Sequence, residues 1–240
     1  MTVRARVRLR FTKMGKVRWT SHRDVARMWE RALRRAEVPV AYTEGYSPRP
    51  RLSFGLALST GHESLGEYLD VDVADTIDVS SLPARLTPAL PIGIDCVAGV
   101  ALDGTEPSLQ QAVTACTWEI ELAGVDAARA ADAVAAALAA PSLIATRTRK
   151  GHEVTDDLRP AIVALAVTAD GSSSDGIVVT AEVATQPRGL RPGELVEACF
   201  GAVEACRVLR THQWIEQDGA RREPIPFDAT SLPHALGACA

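Results

Sequence analysis

From Val3 to Phe11 apolar and basic side chains alternate without a break. Val3, Ala5, Val7, Leu9 and Phe11 fall on one side, and Arg4, Arg6, Arg8 and Arg10 on the other. A period of two predicts a strand with one buried and one open face. After Gly15, the run Ser21-His22-Arg23-Asp24 has the form of a capping box, with Ser21 at the N-cap and Asp24 at N3. The helix it opens runs to about Glu37. Val25, Met28, Trp29, Leu33 and Ala36 form its apolar face at helical spacing, and Pro39 ends it. Gly45-Tyr46-Ser47-Pro48-Arg49-Pro50 is a proline-set approach to a strand whose inward residues are Leu52, Phe54, Leu56 and Leu58. The small and polar residues from Ser59 to Gly66 predict a loop. Beyond it Leu69, Val71 and Val73 point inward, with Tyr68, Asp70 and Asp72 outward. A short helix near 81–90 and a strand at 94–100 complete the order β-α-β-β-α-β, the ferredoxin-like pattern.

Residues 103–112, with Gly, Pro and Ser, have the composition of a linker, and then the pattern starts again. Trp118, Ile120 and Leu122 alternate with Glu119 and Glu121. An alanine-rich helix covers about 126–140, a strand follows at 144–149, and 150–159 is a polar insertion. A hairpin joins 162–168 to 177–185, a helix opens at Arg191-Pro192, and the last strand covers 207–216. The expected architecture is therefore α+β: tandem duplicated ferredoxin-like units with antiparallel sheets. A basic N-terminal unit occupies 1–102, a linker 103–112, a second unit with an inserted segment 113–218, and an irregular C-terminal tail 219–240.

Composition is ordinary for a folded chain, with 47% hydrophobic and 23% charged residues. No stretch approaches the roughly 20 consecutive apolar residues that span a bilayer, and the opening segment lacks the apolar run of a secretory signal. Five cysteines, an odd number with no C-x-x-C pair, argue against a disulfide framework and against a zinc or iron–sulfur site. The cytoplasm is the expected compartment, without membrane association. The net charge of −4 conceals an asymmetry. Residues 1–51 hold fourteen Lys and Arg against four Asp and Glu, and the rest of the chain is correspondingly acidic. Either an anionic partner meets the first part or charges pair internally.

The Arg4/Arg6/Arg8/Arg10 stripe is the main candidate surface, since guanidinium groups on an open sheet face suit phosphate oxygens. Single-stranded RNA binds such faces, usually with stacking aromatics, and Tyr68 is the outward aromatic here. The competing reading has Asp70 and Asp72 pairing across from a neighbouring strand, with Glu119 and Glu121 as further carboxylates. Lys13, Lys16 and Arg18 add charge at the same end, and Arg23, Arg27, Arg31 and Arg35 step along the helix, where most charged faces are simply solvated. His22, in the first helical turn, suits phosphate binding or acid–base work, though a capping or surface role is commoner. His62, Glu63, Ser64 and Glu67 cluster with no ligand spacing, as a solvated turn would. His152, His212 and His234 are scattered. No phosphate loop, nucleophile elbow, H-E-x-x-H or dinucleotide fingerprint occurs, so no catalytic residue, metal or cofactor is assigned.

The run Phe11-Thr12-Lys13-Met14-Gly15-Lys16-Val17-Arg18-Trp19-Thr20-Ser21-His22-Arg23-Asp24 resembles a known family. The likeness continues in Arg31 to Ala36, in Gly45-Tyr46-Ser47-Pro48-Arg49-Pro50-Arg51-Leu52-Ser53-Phe54 and in Gly61-x-x-Ser64-x-x-Glu67. Asp157-Leu158-Arg159-Pro160 and Arg191-Pro192 resemble its weaker downstream signatures. The family is the radical-SAM-linked bacterial domain of unknown function, whose members occur fused to, or encoded beside, a radical S-adenosylmethionine enzyme. This chain lacks the C-x-x-x-C-x-x-C motif of such an enzyme, so the resemblance implies an accessory partner rather than the catalyst.

The expected function is a non-catalytic accessory protein that binds RNA or another anionic substrate for a separate radical SAM enzyme. Arg4, Arg6, Arg8, Arg10, Lys13, Lys16, Arg18, His22, Arg23, Arg49 and Arg51 form the anion-binding set. Ser21, Asp24, Ser47, Pro48, Pro50, Ser64 and Glu67 form the rest of the motif surface. Two alternatives stay open: a protein-interaction module docking an acidic partner enzyme, and a metal-independent ribonuclease using His22 or His62.

Overall fold

Strand β1 (Ala5–Lys13) lies between two antiparallel neighbours, β3 (Glu63–Val73) and β4 (Cys96–Leu102). The short β2 (Leu52–Phe54) pairs with β3 at Leu69–Val71. The computed structural model describes residues 5–149, 151–168 and 176–225. Within these the chain is a mixed α+β protein with mostly antiparallel strands and few helices, and it divides into two units. Unit 1 is Met1–Ala112 with Ile215–Ala240, and unit 2 is Val113–Trp214.

Period-two alternation on β1 and β3 turns Val7, Leu9, Phe11, Leu69, Val71 and Val73 into one buried face. Helix α1 (His22–Arg35) lays Val25, Trp29, Ala32 and Leu33 against it, and α2 (Leu82–Leu86) adds Leu82 and Leu86. Trp29 is wholly buried and meets Phe11 edge-on at 4.9 Å. Ser21 caps α1 as expected, accepting from the Asp24 N–H. The helix stops two residues short of the expected Glu37, because Glu37 takes φ +51 and closes a left-handed cap. There Val38 N–H donates to Leu33 O and Glu37 N–H to Arg34 O, and Arg85 donates to the Ala36 carbonyl.

Three expectations for unit 1 need correction. The strand predicted through Leu58 ends at Phe54: the Gly55 N–H still bonds Tyr68 O, but Leu56 and Leu58 leave the ladder. The loop predicted for Ser59–Gly66 is half strand, because β3 begins at Glu63, and Glu63, Ser64 and Glu67 are buried rather than solvated. Tyr68 lies outside the core that α1 and α2 cover but is itself covered, packing with Leu109 and Ile225.

In unit 2, β5 (Ala115–Ala123) lies between β10 (Glu204–Gln217) and β9 (Gly176–Ala184), with β8 (Ile162–Val167) on the far side of β9. Each pairing is antiparallel. Helix α4 (Ala127–Ala139), N-capped by Asp126, lies against β8 and α5 (Pro192–Phe200). Its alanines permit close approach: Ala130 and Ala137 are buried with Val134. The polar insertion contains a strand of its own, β7 (His152–Asp157), which pairs antiparallel with β6 (Ile144–Arg149). The region expected as a linker ends in a helical turn, α3 (Leu109–Ala112), whose Leu109 is buried. The expected tail is also ordered at its start, where β11 (Ala220–Arg222) pairs with the end of β10 and Glu223 and Ile225 are buried. The remainder of that tail, 226–240, lies outside the described residues.

Because Trp29 fills the space between α1 and β1, Trp29→Ala is expected to lower the unfolding free energy by about 3–5 kcal/mol. Urea denaturation followed by circular dichroism measures this, and a loss below about 1 kcal/mol would mean the core does not depend on that ring.

Candidate functional site

The open side of β1 carries the arginines of the proposed stripe, and the β1–β3 register sets carboxylates opposite two of them: Arg6 faces Asp72 and Arg8 faces Asp70. Arg8 makes a two-point pair with Asp70, at 2.7 and 2.9 Å, with both side chains 5% exposed or less. Asp72 accepts from Arg6 at 2.8 Å and pairs with Arg51 at 2.9 Å. The Asp72 hydrogen bond raises the Arg6 pKa, so this guanidinium stays charged. Arg10 donates to Glu223 at 3.0 Å and lies 5.7 Å from the centre of the Tyr68 ring. Burial holds the Tyr68 phenol protonated, its pKa raised. Internal pairing therefore engages Arg6, Arg8, Arg10 and Arg51: Arg8 and Arg10 are buried with their carboxylates, while Arg6 and Arg51 share Asp72 and keep partly exposed side chains. Arg4 lies outside the described residues.

The turn after β1 is tied down from several sides. Lys13, buried, donates to the carbonyls of Arg18 (3.1 Å) and Thr20 (3.3 Å). The Gly15 N–H donates to Glu63 Oε1 at 2.7 Å, and Arg18 lies 3.7 Å from the same oxygen. Gly93, at φ +95, must be glycine: a Cβ there would sit 2.3 Å from the Met14 carbonyl oxygen. Gly61, at φ +88, passes under Trp19 and donates its N–H to Arg18 O at 2.7 Å. On this base the Trp19 side chain is 64% exposed, with the Arg18 guanidinium carbon 5.2 Å from its ring centre. Lys16 is exposed on the same turn.

Helix α1 follows directly. Ser21 Oγ donates to Asp24 Oδ2 at 2.7 Å and accepts from its N–H, so this pair is a cap. Arg23, Arg31, Arg34 and Arg35 are exposed, and no ion pair to any of them occurs among the described residues. Arg27 lies 3.5 Å from Asp24. The 42–51 loop is closed at its base by Thr43 N–H to Arg49 O and Arg51 N–H to Ala41 O. Tyr46 is fully exposed on it, and Ser47, Pro48 and Arg49 are exposed beside it, whereas Pro50 is half-buried. Ser64 is buried and its hydroxyl accepts from the Gly66 N–H.

Below the start of α1 a cleft opens. Lys13, His22 and Glu67 line this narrow recess together with Phe11, Val25 and Phe54. The His22 ring meets Phe54 edge-on at 5.1 Å, and Phe54 meets Phe11 at 6.5 Å. Glu67 is 8% exposed and sits opposite Phe11 in the ladder. An ammonium, an imidazole and a carboxylate thus share an apolar recess, though they lie far apart in the sequence. That convergence and the exposed Trp19 and Tyr46 escaped sequence reasoning. Trp19 stands between Gly15 and the Ser21 cap, outside either periodic run, which was the available signal that it has no core to join.

A profile of the family described as an uncharacterized protein conserved in bacteria (DUF2344) matches residues 6–192. The chain belongs to that family. No curated protein matches it.

The DUF2344 span takes in the turn, the cleft and, in unit 2, the two downstream signatures. Those signatures serve structure. Asp157 accepts from the N–H groups of Leu143 and Arg159, Leu158 is buried, and Arg159 donates to the carbonyls of Ile162 and Leu138. Arg191 and Pro192 start α5, where Glu194 accepts from the Arg191 N–H. Arg188 joins Asp156 (3.0 Å) to Glu194 (2.8 Å), and Arg147 lies 3.3 and 3.6 Å from the same two, fastening the β6–β7 hairpin to α5. Elsewhere, His152 is exposed and His212 stacks on Trp214 at 5.0 Å. His234 lies outside the described residues. Among the described residues no three His, Cys, Asp or Glu side chains are grouped to hold a metal, and no helix is long and apolar enough to cross a membrane.

Asp70→Ala strands a buried guanidinium, so it is expected to cost about 3–5 kcal/mol of stability. Arg8→Met combined with Asp70→Leu restores an uncharged contact and should recover most of that loss in the same urea titration. Burial pushes the Cys96 thiol up to about 12 and Cys199 to about 11. At about pH 8 a thiol reagent should therefore label exposed Cys206 on the folded protein and leave Cys96 unmodified until it unfolds. Rapid labelling of Cys96 would contradict its burial.

Proposed function

We propose that this protein is a non-catalytic accessory protein that binds single-stranded RNA for a separate radical SAM enzyme. It does so through the Gly15–Trp19 turn and α1, not through the β1 arginines. The observation that carries the reading is Trp19, 64% exposed on a pinned turn with Arg18 stacked on it, directly ahead of a helix with solvent-facing arginines. Stacking rings interleaved with cations are what an unstructured strand requires: every base offers a π-face, and every linkage a phosphate. The resemblance to radical-SAM-linked domains supports the choice of partner enzyme. The strand order within each unit, with the first strand between the fourth and the third and the second at the edge, supports reading both as ferredoxin-like.

A second reading, docking to an acidic partner enzyme, draws on the 42–51 loop. A fully exposed Tyr46 beside exposed Arg49 has the residue types enriched in protein interfaces.

Fluorescence anisotropy with a labelled single-stranded oligoribonucleotide tests the first reading. Trp19→Ala should weaken binding by about 1–3 kcal/mol. Lys16→Ala with Arg23→Ala should reduce the slope of log affinity against log salt by about 1–2. RNA incubated with the chain in EDTA should stay intact, since no ribonuclease step is part of this reading. Absence of RNA affinity, with recovery of a radical SAM enzyme in pull-downs after nuclease treatment, would replace it with the second reading.

A further inference from the structure

The strand order of unit 2 ends at β8, whose inner side pairs with β9. Among the described residues no strand pairs with its outer side. We infer that this edge is the contact of a homodimer, in which β8 of a second copy of the chain adds antiparallel to it. The inference is independent of the RNA reading, which uses unit 1.

The Thr168 N–H donates to the Val178 carbonyl at 2.9 Å, toward β9. Successive residues of a strand turn their N–H and C=O groups to opposite sides. Ala166 therefore shares the direction of Thr168, and Leu165 and Val167 present their backbone groups outward. Natural sheets blunt such an edge with charge, proline or a bulge. Here a bulge interrupts the ladder between Ile162 and Ala164, and Arg159 donates to the Ile162 carbonyl, so the start of β8 is protected. Residues 164–167 have none of these safeguards. They read Ala-Leu-Ala-Val, with Ala164 and Ala166 exposed. The β6–β7 pair, which lies between α4 and β8 in the sequence, is fastened to α5 instead by Arg147 and Arg188.

A second copy is the occupant that satisfies the whole surface. Antiparallel pairing about a twofold axis sets the same residues of both chains against each other, so each edge supplies the donors and acceptors the other needs. With no charged side chain at 164–167, no like charges meet across the axis. An acidic or basic partner would find nothing there to pair with. The helix above β8 agrees. Helix α4 packs on β8 and α5, turning Ala130, Val134 and Ala137 inward. At about 100° per residue, the exposed Ala127, Ala131, Ala135 and Leu138 follow one flank, whereas Arg129 and Asp132 lie on the other side. The half-buried Ala133 is opposite that flank, which places α5 on its side and the uncharged flank over the free edge. Strands paired at about 4.8 Å would bring the two copies of α4 side by side. Helices approach to about 8–10 Å, closest where their side chains are small. A lone peptide strand would pair with β8 but leave that flank bare.

Sedimentation velocity of the full chain from about 1 to 100 μM, combined with hydrogen exchange of the backbone amides, tests this. A two-chain species should form, and the Leu165 and Val167 amides should exchange more slowly as it does. Val167→Pro removes an outward donor without touching the ladder to β9, and Ala131→Glu brings like charge onto the flank in both copies. Each should weaken association at least about tenfold. Arg129→Glu, on the other side of α4, should leave it unchanged. Ala131 is exposed, so its variant keeps the test in hand if Val167→Pro does not fold. A dimer indifferent to both substitutions, or broken equally by Arg129→Glu, overturns the proposal. A single-chain species at every concentration also overturns it. Protected Leu165 and Val167 amides in that species would mean that another part of the same chain covers the edge. Unprotected ones would leave the edge to a strand of a different protein.

Discussion

A buried guanidinium must have its carboxylate, and on unit 1 that requirement organises everything on the open side of β1. Arg8 and Asp70 exclude water from each other and bond at two points. Such a pair adds little net stability over an apolar contact, because desolvating two ions offsets most of their attraction. Its influence is on alternatives. A one-residue slip between β1 and β3 would turn Val7, Leu9 and Phe11 away from the core. A two-residue slip would keep them inside; in one direction it would set Arg8 opposite Tyr68 and leave its buried charge uncompensated, and in the other it would set Arg8 opposite Asp72 and move Arg6 off its carboxylate. The apolar alternation thus selects the face, and the ion pairs disfavour the slip that would leave Arg8 without a carboxylate.

The same requirement sorts the basic residues of the first fifty positions into two populations. Those on the ladder, Arg6, Arg8 and Arg10, are drawn to Asp72, Asp70 and Glu223. Lys16, Arg23, Arg31, Arg34 and Arg35, on the turn and on α1, are exposed instead, while Arg18 lies 3.7 Å from Glu63 and Arg27 3.5 Å from Asp24, whose side chain also caps the helix with Ser21. A charge count along the chain cannot tell these populations apart, since they differ by the face on which each residue lies. Surplus positive charge does exist on unit 1, displaced from the sheet to the helix that crosses it.

Legibility followed the range of the interaction. The opening strand, the Ser21 cap, the alanine-rich helix and the outward placement of Asp70 and Asp72 were readable because each depends on neighbours within a few residues, or on a period. The burial of Glu63 and Ser64 was not, because polar residues in a small-residue segment look solvated until the Gly15 N–H and Arg18 are brought to Glu63. Glu223 was invisible for the same reason, more strongly: its partner Arg10 lies 213 positions away. At the site, His22 and Glu67 each drew notice separately, but only the fold puts them with Lys13 and Phe54 around one recess.

Why a tryptophan should face solvent on this turn follows from what lies beneath it. A large exposed ring on a loose loop would lose conformational entropy on meeting a ligand, which weakens binding. Here the backbone below Trp19 is already ordered by Lys13 on two carbonyls, by Glu63 on the Gly15 N–H, and by Gly61 and Gly93 at positions where a side chain would be strained. The glycines and buried ions therefore act on the surface indirectly: they hold in place, before any partner arrives, a ring that the hydrophobic effect alone would have folded away. Rigid support beneath and apolar exposure above are hard to explain as demands of stability, since burying Trp19 would have served stability better. They are coherent if the ring's contact is with another molecule.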